Sequence, residues 1–341
     1  MTLLPLIDLS RPGSHAELDR YLAQLRATTF GSPEAAQTVA KIIQDVGAEG
    51  DAALVRYMRQ WTDPDFSAAR IRVTQQELDD AERSLTPALR NALVTAIDHV
   101  REYQTHILPQ AHEPIHIDGA ELGLRFSPMQ RVGLAVPGGR AAYPSSVVML
   151  AVPALAAGVP SDGLCVVSPP PTRRVGEPVS DISPLVLAAC RLTGVKHVYR
   201  IGGAQAMAAL ALGTQTVSPV DLIAGPGNVY TQLAKQQLLG KVGIDGFYGP
   251  SEIVTLIDET ASTFRVASDL IAQAEHDPGR CFVIGWSAQV LENVRSAVTA
   301  QLASRKRASA IETSLRDSSA ALLVENEDQA IELSDLSLIH I

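Results

Sequence analysis

The feature that most constrains how this chain folds is a repeated order of apolar run, glycine-rich turn and helical pattern, which begins at Arg131. Between residues 131 and 252 this order has three glycine-rich turns, which we call the first set: Pro137-Gly138-Gly139, Gly202-Gly203 and Gly225-Pro226-Gly227. Such an alternation is typical of a parallel, doubly wound α/β sheet, whose ligands bind at the carboxyl ends of the strands. Backbone N–H groups at the following helix N-termini could hold phosphate. None of the turns matches G-x-G-x-x-G, however, and βα loops also use glycine for steric reasons.

Two sets of strands follow from this pattern. In the first set we predict strands at Val132–Val136, Leu164–Ser168, His197–Ile201 and Asp221–Ala224. In the second set we predict strands at Ile253–Ile257, Cys281–Trp286 and Ala320–Val324. Residues 1–131 show mostly helical periodicity, with few chemical groups beyond solvated charges. We therefore assign residues 1–131 and 253–335 to a first α/β domain, and residues 132–252 to a second, nucleotide-binding-like α/β domain.

Length and composition exclude several classes of protein. The chain has 341 residues, which suits about two domains, and its 46% hydrophobic content is ordinary for a globular protein. A net charge of −9 argues against a nucleic-acid binder. The three cysteines form no CxxC pair, which fits a reducing cytoplasm. The N-terminus lacks the apolar core of a signal peptide and no apolar run reaches membrane-spanning length, so we expect a cytoplasmic protein without a membrane partner.

One short stretch, Gln273-Ala274-Glu275-His276, has the spacing of a chelating pair. Residues three apart lie on one face of a helix, so Gln273 and His276 could hold a divalent cation together. Asp277-Pro278-Gly279 ends the helix directly afterwards, which puts the pair at its last turn. The alternative is that His276 only complements the helix dipole, and glutamine is a rare zinc ligand. A cleft between the two sheets would bring the glycine turns near this pair.

Two further polar residues stand at helix starts that follow glycine turns. Gln205 follows Gly202-Gly203, and Asn228 follows Gly225-Pro226-Gly227. Each could contact a bound nucleotide, because ligands of these sheets lie near such helix N-termini. Each could equally be an N-terminal cap, which is the commonest role of asparagine at that position.

Six motifs together resemble the histidinol dehydrogenase family, in the right order and from about residue 30 to 335. They are Arg131-Val132-Gly133-Leu134 with Pro137-Gly138-Gly139, Tyr143-Pro144-Ser145-Ser146, Ile201-Gly202-Gly203-Ala204-Gln205-Ala206, Gly225-Pro226-Gly227-Asn228, Gly249-Pro250-Ser251-Glu252 and Gln273-Ala274-Glu275-His276. The resemblance implies NAD-dependent oxidation of L-histidinol to L-histidine through the aldehyde, the last step of histidine biosynthesis. It also implies zinc dependence, a homodimer and two Rossmann-like domains.

The resemblance also implies roles for individual residues. Gln273 and His276 fall on zinc ligands that border the substrate, and Ser251 falls on a substrate contact. Gln205 and Asn228 fall on NAD contacts. Zinc would then hold the amine and imidazole of the substrate and place the alcohol carbon near the nicotinamide.

Two departures from the family pattern affect these expectations. A tyrosine that contacts NAD in the family is replaced here by Ala135, which would either weaken cofactor binding or reflect a subgroup that holds NAD differently. The family's Glu-His acid–base pair would align near His340 and Ile341, where the residues do not match, and two further zinc ligands have no counterpart. Residues 336–341 resemble a translated sequencing adapter, so we expect a truncated chain with a non-native tail. We assign it no catalytic acid–base residue, and we expect weak zinc binding and no turnover.

Three alternatives remain open at this point. A related dehydrogenase could act on another small alcohol, such as a sulfonated diol. An aldehyde dehydrogenase would need a cysteine nucleophile, but none of the three cysteines lies in the glycine turns of the first set. A non-catalytic NAD-binding remnant would bind the dinucleotide without turnover.

Overall fold

The computed structural model describes residues 3–29, 31–138, 142–249, 251–276 and 279–335. The chain folds into a central unit, residues 33–247, and a terminal unit, formed by the described residues of 1–32 and 248–341. The strands are β1 (Leu6–Asp8), β2 (Ile115–Ile117), β3 (Ala120–Leu122), β4 (Val132–Ala135), β5 (Leu164–Val167), β6 (His197–Tyr199), β7 (Leu222–Ala224), β8 (Gly243–Ile244), β9 (Glu252–Ile257), β10 (Arg280–Gly285) and β11 (Ala320–Leu323). The α-helices are α1 (Ser14–Thr29), α2 (Pro33–Glu49), α3 (Asp51–Trp61), α4 (Gln75–Arg83), α5 (Pro87–His106), α6 (Pro144–Ala156), α7 (Pro184–Thr193), α8 (Gly203–Leu212), α9 (Val229–Leu238), α10 (Thr263–Ala274), α11 (Ala288–Leu302), α12 (Ala308–Asp317) and α13 (Glu327–Asp335).

The main sheet of the central unit is parallel throughout and has the strand order β6-β5-β4-β7-β8. The chain starts in the middle at β4, moves outward through β5 to β6, and then crosses to β7 and β8 on the other side. In register, Val132 of β4 lies between Leu164 and Leu222. A sheet of this order has its topological switch point between β4 and β7, and ligands of doubly wound sheets bind at that crevice.

Both faces of this sheet are covered by helices, which explains why its strands are apolar without polar alternation. Side chains such as Leu134 and Val166 pack on one face against α4, α6 and α7. Their neighbours Ala135 and Val167 point to the opposite face and pack against α2, α3, α8 and α9. The central unit is therefore a three-layer α/β/α arrangement, as the repeated pattern predicts.

The terminal unit has its own parallel sheet, in the order β1-β11-β10-β9. Helices α10, α11 and α12 pack on one face of it, and α1 and α13 pack on the other. Strand β1 is a three-residue strand that pairs with β11, with Leu6 opposite Ala321. The helical reading of residues 1–131 missed β1, β2 and β3, because a three-residue strand is too short to display a periodicity.

Two parallel α/β sheets and a largely helical N-terminal region confirm the predicted fold class. The N-terminal helices α2 to α5 belong to the central unit, whereas α1 belongs to the terminal unit. Within the described part of the chain, no helix combines the length and the apolar composition needed to cross a membrane.

Candidate functional site

The described glycines of the first set of turns lie at the carboxyl edge of the central sheet, where Gly138 follows β4, Gly202 follows β6 and Gly225 follows β7. At Gly225 the backbone has a φ of +120°, and a Cβ atom would lie 2.4 Å from the carbonyl oxygen of Ala135. The ends of β4 and β7 therefore approach each other more closely than any side chain at position 225 permits. This close approach lies at the topological switch point of the sheet.

Asn228 is the N-cap of α9, immediately after this turn. Its side-chain oxygen accepts a hydrogen bond from the Thr231 N–H at 3.1 Å, which satisfies one of the free donors at the helix start. The side chain is exposed, and its NH₂ group makes no hydrogen bond to a described residue. The capping role is thus present, and the amide retains donors for a ligand.

Gln205 lies in the first turn of α8 and is only 4% exposed. Its Nε2 atom lies 4.0 Å from the sulfur of Met58. Its Oε1 atom lies close to Gly203, where a Cβ atom would be 3.0 Å away. The side chain is therefore folded into the core, and contact with a dinucleotide would require it to turn outward.

The predicted metal and substrate residues lie at one edge of the terminal sheet. Ser251 directly precedes β9, and its carbonyl oxygen accepts a hydrogen bond from the Arg280 N–H at the start of β10, at 3.1 Å. Gln273 and His276 precede β10 by a few residues. Because β9 and β10 are parallel neighbours, all three residues lie at the amino edge of this sheet, opposite to the edge that doubly wound sheets use for ligands.

The Gln273–His276 pair lies where α10 ends. Gln273 is in the last turn of the helix, and His276 lies beyond it, because α10 ends at Ala274. The His276 N–H donates to the Gln273 carbonyl oxygen at 3.3 Å, so the two residues remain one turn apart. Gly279 lies directly against this end of the helix, since a Cβ atom on it would lie 2.0 Å from that same carbonyl oxygen.

The side chains of this pair are suited to take a ligand. The Nε2 atom of Gln273 is buried and has no hydrogen-bond partner, and a buried amide without partners costs free energy. His276 is exposed, and its imidazole makes no hydrogen bond to another described residue. An amide oxygen and an imidazole nitrogen fit two positions of a zinc site. In the described ranges no three His, Cys, Asp or Glu side chains are grouped as metal ligands.

The three cysteines are buried structural thiols. Burial raises the pKa of both Cys190 and Cys281 to about 12, and it also raises the pKa of Cys165. A thiol becomes a nucleophile through its thiolate, which these environments disfavour. The geometry therefore gives no support to an aldehyde dehydrogenase mechanism.

Sequence reasoning missed a buried ion pair behind the Gly225 turn. Lys235 of α9 is fully buried and binds the carboxylate of Asp245, which follows β8. A lysine at an apolar position of a helix is a signal that could have been noticed. Its partner could not be identified, because only the sheet order brings β8 alongside β7.

The comparisons with known proteins agree with one another. A family model described as histidinol dehydrogenase matches residues 26–337. A histidinol dehydrogenase of Nitrobacter winogradskyi is 43% identical over 295 residues, which is 86% of this chain and 67% of that protein. One from Bradyrhizobium diazoefficiens is 41% identical over 324 residues, or 94% of this chain and 73% of that protein. The crystal structure of the enzyme from Elizabethkingia anophelis matches with a TM-score of 0.83 and 26% identity, covering 98% of this chain and 74% of that one.

Proposed function

Because this chain belongs to the histidinol dehydrogenase family, we propose that it oxidises L-histidinol to L-histidine through histidinal, with NAD and zinc. The observation that carries the proposal is the family match over residues 26–337, which spans every candidate residue named above. The proposed setting is histidine biosynthesis in a reducing cytoplasm, where three buried thiols remain free. A homodimer is proposed from the same family relation.

At the substrate end, Gln273 and His276 are the proposed zinc ligands. Zinc held there would supply a Lewis acid for binding and orienting the substrate. The exposed imidazole of His276, which makes no hydrogen bond to another described residue, supports this assignment. Ser251 lies at the same sheet edge, exposed, where its hydroxyl can hydrogen-bond to the substrate and orient the alcohol carbon.

At the cofactor end, the proposed seat is the crevice between the carboxyl ends of β4 and β7. Bound NAD supplies the hydride acceptor. The N-terminus of α9 follows β7 at this crevice, and its first N–H groups and positive dipole end suit a pyrophosphate. Asn228 is the proposed amide contact there. Gln205 is proposed as a second contact, after its side chain turns out of the core.

Two departures from the family pattern bear on the site. Ala135 is the buried last residue of β4, so position 135 supplies no aromatic ring at the switch point. No described residue is assigned as the base that takes the alcohol proton, and His340 and Ile341 lie outside the described residues. The comparisons do not support the prediction that this chain is inactive. The shared cleft for the glycine turns and the Gln273–His276 pair stays a prediction.

A turnover assay tests the proposed function directly. The zinc-loaded 341-residue protein is mixed with L-histidinol and NAD, and absorbance follows NADH. We expect two NADH for each histidine formed, because an alcohol is oxidised to a carboxylate in two hydride transfers. Faster turnover of a sulfonated diol would favour the related dehydrogenase. NAD binding by calorimetry without any turnover would favour the non-catalytic remnant.

Metal content tests the zinc ligands independently of activity. His276→Ala removes one of two proposed ligands, so zinc affinity should fall by at least about tenfold. His112→Ala is the matched control, because His112 is also exposed and stands outside the candidate site. Zinc is quantified after dialysis against a metal buffer. Equal zinc retention by the wild type and His276→Ala would remove His276 from the metal site.

A further inference from the structure

The Gly225 turn is held on both sides by one buried ion pair. The Gly225 N–H donates to the Oδ2 atom of Asp245 at 2.7 Å, and the Gly225 carbonyl oxygen accepts from the Nζ atom of Lys235 at 3.1 Å. Lys235 also donates to the Oδ1 atom of Asp245, which closes the ring of contacts. Both backbone polar groups of one glycine are thus bonded to a single Lys–Asp pair.

Burying this ion pair costs desolvation free energy, which offsets its contribution to stability. Lys235 is fully buried, and Asp245 retains one-fifth of its side-chain exposure. Replacing a buried ion pair with apolar side chains of similar volume is often neutral or stabilising, so stability alone is weak grounds for such a pair. The contacts with Gly225 give the pair a directional role that apolar side chains could not perform.

The turn that the pair holds is the one at the topological switch point. Gly225 lies against the carbonyl of Ala135 at the end of β4, and three residues later Asn228 caps the N-terminus of α9. Lys235 itself belongs to α9, and the Asp245 N–H extends the ladder beside β7 by donating to the Ile223 carbonyl oxygen at 3.2 Å. The pair therefore ties the end of β7 to the start of α9.

We propose that Lys235 and Asp245 are positioning residues for the dinucleotide. They hold the Gly225–Gly227 turn so that the Asn228 amide and the N-terminal N–H groups of α9 face the pyrophosphate. This inference rests on the proposed function, which places NAD at this crevice. Neither residue touches the cofactor, so their effect is on NAD binding and leaves the metal and substrate residues of the terminal unit unchanged.

Two variants separate positioning from simple stabilisation. Asp245→Asn is isosteric and leaves an oxygen for the Gly225 N–H. It leaves the buried charge of Lys235 without an opposite charge, so this single variant should be the less stable of the two. Lys235→Met with Asp245→Asn leaves no stranded charge, so stability should partly recover. The double variant also removes the donor to the Gly225 carbonyl, and the NAD dissociation constant should then rise by about tenfold or more over wild type. The double variant should therefore be more stable than Asp245→Asn but should bind NAD more weakly.

The measurements are urea unfolding, calorimetry with NAD, and KM for NAD and for histidinol. Lys196→Met is the control, since Lys196 pairs with Asp162 at 2.7 Å on the surface before β5 and β6, at the other edge of the sheet. We expect this control to bind NAD like the wild type. Variants whose NAD affinity follows their stability, or equals that of the wild type, would overturn the positioning role while the proposed function stands. A wild type that does not bind NAD would overturn both.

Discussion

At the scale of single residues, Asp63 shows how burial and hydrogen bonding compete over one carboxyl group. Its side chain is 1% exposed and accepts hydrogen bonds from Arg70 and from the Nε atom of Arg173, the latter at 2.6 Å. Burial raises the pKa of Asp63, but the hydrogen bonds from Arg70, the Asp65 N–H and Arg173 outweigh it, and the net pKa lies below the ordinary value of 3.8. These contacts fasten the loop after α3 to the segment after β5.

The lowered pKa predicts a pH-dependent contribution to stability. A carboxyl group whose folded-state pKa is depressed stabilises the fold above its unfolded-state pKa, and this is lost as pH falls through the folded-state value. Asp63→Asn should therefore cost about 3 kcal/mol at pH 7, and the difference from wild type should shrink as pH falls below 3.8. Urea unfolding across pH measures this. Asp162→Asn, on the surface, should change stability little, and a pH-independent effect at Asp63 would contradict the assignment.

At the scale of elements, the start of α9 combines a structural and a ligand-binding role in one asparagine. The Oδ1 atom of Asn228 caps the helix, while its NH₂ group is proposed to contact NAD. A capping residue uses only its acceptor, so the two roles belong to different atoms of the same side chain. Substitutions that keep the acceptor and remove the donor can therefore separate them.

Asn228→Asp keeps the cap oxygen and places a negative charge at the positive end of the helix dipole, so unfolding stability should be maintained. It removes the NH₂ donor and repels a pyrophosphate, so NAD affinity should fall by about tenfold or more. Asn228→Ala should lose both the helix cap and the NAD contact, and the free energy of unfolding should fall by about 1 kcal/mol. Thermal unfolding and NAD calorimetry compare the variants. Wild-type NAD affinity in both would leave Asn228 as a cap only.

At the scale of the whole molecule, the three thiols report on the two units separately. Cys165 and Cys190 lie in the core of the central unit, and Cys281 lies in the core of the terminal unit. All three are buried, with pKa values raised by burial, so thiol reagents should react slowly with the folded protein.

Labelling in increasing urea, read by peptide mass, should modify each cysteine only as its own unit unfolds. Different midpoints for Cys281 and the other two would show that the units unfold separately. One thiol that reacts rapidly without urea would instead revive a cysteine nucleophile and the aldehyde dehydrogenase alternative.

The sequence by itself determined the local features of this protein. Strands of four to six residues, such as Val132–Ala135 and Glu252–Ile257, lie within a residue or two of their predicted positions, because each contains a run of mainly apolar residues. The glycine turns and the capping position of Asn228 were also visible, because their chemistry is local.

Tertiary structure decided everything that depends on contacts between distant residues. It paired β1 with β11 more than 300 residues away, placed Ser251 beside the start of β10, and closed the ring between Gly225, Lys235 and Asp245. It also buried Gln205 and left the Gln273 amide without a partner. Periodicity and turn signals describe neighbours along the chain, whereas these contacts follow from strand order, which single-residue patterns do not encode.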